Sequence, residues 1–192
     1  MGEAALILQP YISIQEYLEG ELRSEIRHDY LDGEVFAMAG ASAVHEQVAM
    51  NLATDLHVFL EGKKCRVSKS DLKLKVQVNR KDAFYYPDIM VACRPTDNHL
   101  YYREHPSLLV EVLSEDDGRD LIHKFLVYQR IASLEEYIVL SQNPAAPKAY
   151  VHRRVNNWEQ EVVELGGTLE IASLDFRVPI ERIYRGIVTQ QQ

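Results

Sequence analysis

Phe84-Tyr85-Tyr86-Pro87-Asp88-Ile89-Met90-Val91-Ala92 and Leu108-Leu109-Val110-Glu111-Val112-Leu113 decide how this chain is read. Each is a continuous apolar run of strand length, the pattern of a strand buried on both faces. Each also carries one acid. An ionised carboxylate in such surroundings must be paired, hydrogen-bonded or metal-bound, or else take up a proton. Side chains alternate along a strand, so Asp88 shares a face with Met90 and Ala92, and Glu111 with Leu109 and Leu113. Were the two runs neighbours in one sheet, both carboxylates could converge on a single face. Pro87 stands at the start of its run, where a missing N–H costs least. A plain structural role remains open for each acid: Asp88 as a turn residue after proline, Glu111 as a paired core carboxylate.

Outward from these runs the chain alternates helices and strands. Ile12 to Glu21 reads as a short helix, with Ser13 and Glu16 at capping-box spacing. Asp32-Gly33 is a two-residue turn signal between strands Ile26–Leu31 and Glu34–Ala39. A long helix follows from about Val44 to Leu60, with Val48, Leu52 and Leu56 at helical spacing and Gly62 as its stop. Cys65 to Val78 reads as one strand with a bulge or bend near residues 68–71, because Val67 is out of phase with Leu72, Leu74, Val76 and Val78. After the two acid-bearing strands, residues 119–131 form an amphipathic helix with Leu121, Ile122, Phe125, Leu126 and Tyr128 on its apolar face. Glu136 to Leu140 reads as a buried strand, and a hairpin around Asn156-Asn157 closes the order. The result is a single α/β (α+β) domain over residues 1–192, a mixed β-sheet flanked by helices, with an N-terminal hairpin and a β-rich C-terminal tail.

Composition bounds the function. At 192 residues, 46% hydrophobic and 26% charged, the chain has the make-up of a globular domain with a full core. No apolar stretch approaches the roughly 20 residues that span a bilayer. The first residues lack a basic n-region, and Leu6 stands where a myristoylation signal wants Ser or Thr, so a cytoplasmic protein is expected. Cys65 and Cys93 form no CxxC and are expected to be free thiols in a reducing compartment. The net charge of −8 argues against a constitutive polyanion binder. Between Lys63 and Lys81, however, eight basic residues face the single acid Asp71. Lys73 and Lys75 lie in that stripe, which could meet a phosphate backbone or merely be a solvated strand face.

Two carboxylates with a lysine-bearing helix straight after suit Mg²⁺ (or Mn²⁺), which binds through one or two carboxylates, waters and substrate phosphate. Lys124 lies in one i, i+4 row with Asp120 and Tyr128, so its ammonium could either reach back to the sheet or pair with Asp120 on the surface. His45 in the first turn of the long helix and Glu34 in the hairpin are auxiliary candidates. No HExxH, nucleophile elbow or P-loop lysine is present, which sets aside zinc hydrolase, serine hydrolase and NTPase readings.

Here the chain resembles a known group. Pro87-Asp88 followed by Glu111-Val112-Leu113, within a helix–three-strand–helix–strand core, is similar to the PD-(D/E)XK nuclease superfamily. The fuller set resembles the Uma-two family of restriction endonucleases: Leu31-Asp32-Gly33-Glu34, Met38, His45, Tyr86-Pro87-Asp88, Glu111-Val112-Leu113-Ser114, Asp120, Lys124, Tyr128 and Glu136-Tyr137. The resemblance implies a restriction-endonuclease-like core and Mg²⁺-dependent hydrolysis of DNA. By it Asp88 and Glu111 bind metal, with the Val112 carbonyl as a further ligand. Leu113 stands where the superfamily carries its lysine, and the resemblance implies that Lys124 has taken that role. A homodimer is expected for cutting both strands. The alternative is a non-catalytic module on the same fold that binds nucleic acid or protein.

Overall fold

The computed structural model describes residues 11–113 and 118–187; for residues 118–121 only the backbone course is described. Ser114 and the side chain of Asp120 therefore lie outside the described residues. In chain order the elements are α1 (Ile14–Glu21), β1 (His28–Leu31), β2 (Glu34–Ala37), α2 (Ala43–Phe59), β3 (Arg66–Lys69), β4 (Lys73–Val78), β5 (Lys81–Tyr85) and β6 (Ile89–Ala92). They continue as β7 (Tyr102–Arg103), β8 (Pro106–Val112), α3 (Gly118–Tyr128), β9 (Glu136–Leu140), β10 (Lys148–Arg153), β11 (Gln160–Glu164), β12 (Thr168–Ile171), β13 (Phe176–Pro179) and α4 (Ile180–Ile183). This is a mixed α+β fold, as the alternation of patterns predicts.

Contacts divide the chain into two units, residues 1–39 with 75–85, and residues 40–74 with 86–192. In the first, the capping box of α1 forms as its spacing predicts: Ser13 Oγ accepts from the Glu16 N–H, and Glu16 accepts from the Ser13 N–H at 2.8 Å. Asp32 and Gly33 both adopt positive φ, the conformation a two-residue hairpin turn requires. β1 pairs antiparallel with β2 and with β5. Tyr17, Tyr30 and Phe84 pack ring to ring beneath them.

The second unit is built on a six-stranded sheet in the order β11-β10-β9-β8-β6-β3. Only β8 and β9 are parallel, and α3 makes the crossover between them that a parallel pair needs. Because side chains alternate, the sheet has two distinct faces. Ile89, Val91, Leu108, Val110, Val112, Ile138 and Leu140 join Val48, Leu52 and Leu56 of α2 in the main core. The opposite set faces α3, where the Tyr137 ring meets Phe125 and Tyr128. Leu109 pairs with Met90 on one side and Tyr137 on the other. Glu111 has the parity of Leu109 and so belongs to this α3 face.

Three expectations are corrected here. Residues 65–78 are two strands, because Ser70 turns the chain at positive φ and separates β3 from β4. Ile122 and Leu126 are 63% and 49% exposed, so α3 buries Lys124, Val127 and Tyr128 instead. The expected apolar face includes Ile122 and Leu126 and omits Val127, which is buried. Cys65 and Cys93 are joined in a disulfide and are not free thiols. The physical reason is register: Arg66 pairs with Ala92, so the next step outward sets the two cysteines opposite each other across β3 and β6.

Candidate metal centre

β6 and β8 run antiparallel with Ile89 opposite Val110 and Met90 opposite Leu109. One further step in that register puts Asp88 opposite Glu111. Directly opposed residues on an antiparallel pair project from the same face, with Cβ atoms about 4.5–5.5 Å apart. Asp88 itself lies in a bend just before β6, and its backbone carbonyl accepts from the Ser70 N–H at 3.2 Å.

Each carboxylate is anchored through one oxygen. Asp88 Oδ2 accepts from the Val112 N–H at 2.7 Å and lies 3.1 Å from His45 Nε2. Glu111 Oε1 accepts from the Tyr128 hydroxyl at 3.1 Å and lies 3.7 Å from Lys124 Nζ. Glu111, Lys124 and Tyr128 are all buried, the Lys124 side chain being only 8% exposed. A lysine placed so deep lies against a carboxylate, the pairing a buried charge requires. Its row on α3 turns inward since Tyr128, one turn on, packs against Tyr137.

His45 arrives from the first turn of α2, whose N-cap is Ser42. Burial pushes its imidazole pKa down. The hydrogen bond that its Nε2–H donates to Asp88 and the charges of Asp88, Glu46 and Glu111 more than offset this and hold the pKa above the ordinary histidine value. His45 thus feels both acids of the pair. Its Nδ1 is buried and has no hydrogen-bond partner among the described residues.

The other candidates fall elsewhere. Glu34 is exposed on β2 in the first unit, and Lys75 lies there too, 4.0 Å from Asp82. Lys73 is 5% exposed, with its ammonium 5.0 Å above the Tyr86 ring. Lys69 pairs with Glu46, Lys81 with Asp32, and Lys63 sits over Phe59. The basic run is therefore not one exposed face, since the turn at Ser70 and local pairing disperse it.

The donor set decides what could bind. Asp88 Oδ1 accepts no hydrogen bond from the described residues, while Oδ2 is committed to His45 and Val112. Two anionic carboxylates offer hard oxygen donors, which suit Mg²⁺ or Mn²⁺ with waters completing the shell. Among the described residues no cluster of three His, Cys, Asp or Glu forms, so the arrangement is unlike a zinc site. The cysteines, bonded to each other, add no soft donor. Sequence reasoning found both acids, the lysine and His45. It missed that Tyr128 donates to Glu111 and that the Val112 N–H donates to Asp88; neither carries a local signal.

A mixed sheet with an acid pair, Glu111 buried and Asp88 partly so, and a lysine on the crossover helix defines a protein with the restriction-endonuclease-like nuclease fold. A putative nuclease of the DUF820 group from Anabaena variabilis shares that fold, with a TM-score of 0.68 and 15% identity over 87% of this chain and 96% of that one. Residues 14–181 match the Uma2 family, described as "Putative restriction endonuclease", and the chain belongs to that family. Two uncharacterized proteins of Synechocystis are similar to it. One, slr1290, is 31% identical over 93% of this chain and 94% of its own length. The other, sll1609, is 32% identical over 68% of this chain and 75% of its own. Among the described residues no helix is long and apolar enough to cross a membrane.

Proposed function

We propose that this protein is a Mg²⁺-dependent endonuclease that hydrolyses phosphodiester bonds in DNA, with Asp88, Glu111 and Lys124 as its working residues. The observation that carries this reading is the cross-strand opposition of Asp88 and Glu111 with the Lys124 ammonium against Glu111. Asp88 and Glu111 would hold the cation, which supplies Lewis-acid stabilisation and lowers the pKa of a water. Lys124 sits where it can orient that water or neutralise charge developing on the phosphate. Tyr128 fixes the Glu111 carboxylate, and His45 fixes that of Asp88, so both acids are oriented before substrate arrives. Mn²⁺ fits the same donors.

The non-catalytic reading draws on Leu113, which replaces the lysine expected two residues after the glutamate. The position of Lys124 supports catalysis against it, because a cation stands beside Glu111 from a different element. Supercoiled plasmid incubated with Mg²⁺ tests the choice. Nicked or linear product that disappears in Glu111→Gln and Lys124→Met supports the nuclease. Duplex binding without any cleavage by wild type, in either metal, would favour the binding module. A twofold dimer would supply the second site for cutting both strands.

A further inference from the structure

The far end of the six-stranded sheet from Asp88 and Glu111 holds a second feature. Cys93, just past β6, and Ser107, at the start of β8, line an open cleft of about 440 Å³. Arg94, His105, Arg154 and Glu135 complete its polar wall. Cys93 is half of the disulfide with Cys65, and only Cys93 reaches the cleft. Its Sγ lies 3.3 Å from Ser107 Oγ. Arg154 is held in place by the carbonyls at the end of α3, donating to Ile131 and Leu134 at 2.5 and 2.7 Å.

We propose that Cys65–Cys93 is an exchangeable disulfide, opened by a small thiol that carries carboxylates and docks in this cleft. The two arginines and His105 match carboxylate groups, and Glu135 leaves room for an amine on the same molecule. The thiolate attacks Cys93 Sγ, because Cys93 and not Cys65 lines the cleft. The bond between the two cysteine sulfurs breaks, and its electron pair leaves on Cys65 Sγ, which takes a proton from water. A second thiolate then attacks the reductant's sulfur in the mixed disulfide. It releases Cys93 as thiolate and the reductant as its own disulfide. Two thiols are oxidised and one disulfide is reduced. The Ser107 hydroxyl, now donating to the Val91 carbonyl, can turn to the Cys93 thiolate as it forms.

The test uses folded full-length protein purified without reductant, with glutathione as the anionic thiol and 2-mercaptoethanol as the neutral one. Wild type should contain no free thiol until either is added. Acid-quenched peptide mapping should find the mixed disulfide on Cys93. With oxidised glutathione, Cys65→Ser should form the adduct and Cys93→Ser should not, on the same timescale and with unchanged circular dichroism. Arg94→Glu should slow glutathione roughly tenfold and leave 2-mercaptoethanol unaffected. Two free thiols in air-purified wild type, an adduct on Cys65, equal slowing of both thiols, or reduction by a protein dithiol alone would each overturn the proposal. None of these readouts depends on nuclease activity.

Discussion

Glu111 is held by a phenol and an ammonium on the same oxygen, and each contact has a separable consequence. Tyr128→Phe removes a hydrogen bond to a charged acceptor, worth about 1.5–3 kcal/mol. Turnover should fall about tenfold or more, with metal affinity weakened, in a plasmid-nicking assay and a metal titration. Lys124→Met leaves Glu111 buried without its cation and should cost about 3–5 kcal/mol of stability in urea unfolding. Adding Glu111→Gln to Lys124→Met should restore most of that stability while activity stays absent. Activity in the double variant would contradict the assigned roles of both Glu111 and Lys124. At this scale the acids were legible because each interrupts an apolar run. The His45–Asp88 contact was not, since residues on α2 and before β6 meet only through tertiary packing.

The elements show a second buried acid that does different work. Glu136 on β9 is 2% exposed and accepts from Arg153 Nε, the N–H groups of Ala172 and Ser173, and the Ser173 hydroxyl. It ties the turn after β12 to the sheet. Glu136→Ala leaves Arg153 with Glu161 as its acid but strands two backbone donors, and should lower stability by about 1–3 kcal/mol with metal binding unchanged. Tyr184 fastens the end of α4 to the β9–β10 connection by donating to the Ser141 and Lys148 carbonyls. Burial is the main reason that its phenol pKa is raised above the ordinary value. Because the folded pKa is the higher one, this stabilisation is complete below the unfolded tyrosine pKa of about 10 and fades as pH rises through the folded value. Tyr184→Phe should therefore flatten the alkaline limb of a stability–pH curve. Most strand and helix positions followed from periodicity, and the out-of-phase Val67 marked a bend near residues 68–71. Periodicity showed neither that β3 ends there nor that the Phe84–Ala92 run divides between β5 and β6. A single residue at positive φ, Ser70, carries no strong sequence signal.

Over the whole molecule, net charge is −8, and Lys69, Lys75 and Lys81 of the Lys63–Lys81 run each lie against an acid. Lys75 is partly exposed beside Asp82, whereas Lys73 is buried with its ammonium over the Tyr86 ring. Duplex affinity of a cleavage-deficient variant should fall with salt, and Lys75→Gln should reduce the slope by about one counterion. Lys73→Gln should instead lower thermal stability and leave the slope unchanged. The charge run was visible in the sequence, but its dispersal depends on partners such as Glu46 and Asp32 that linear spacing does not reveal.

The central claim is that Asp88 and Glu111 together hold one divalent cation. Calorimetric titration of Mg²⁺ or Mn²⁺ into wild type, Asp88→Asn and Glu111→Gln tests it most directly. One site per chain in wild type, lost in both variants while their folds remain intact, is the result expected. Undiminished binding in either variant, or no binding to the wild type, would contradict it.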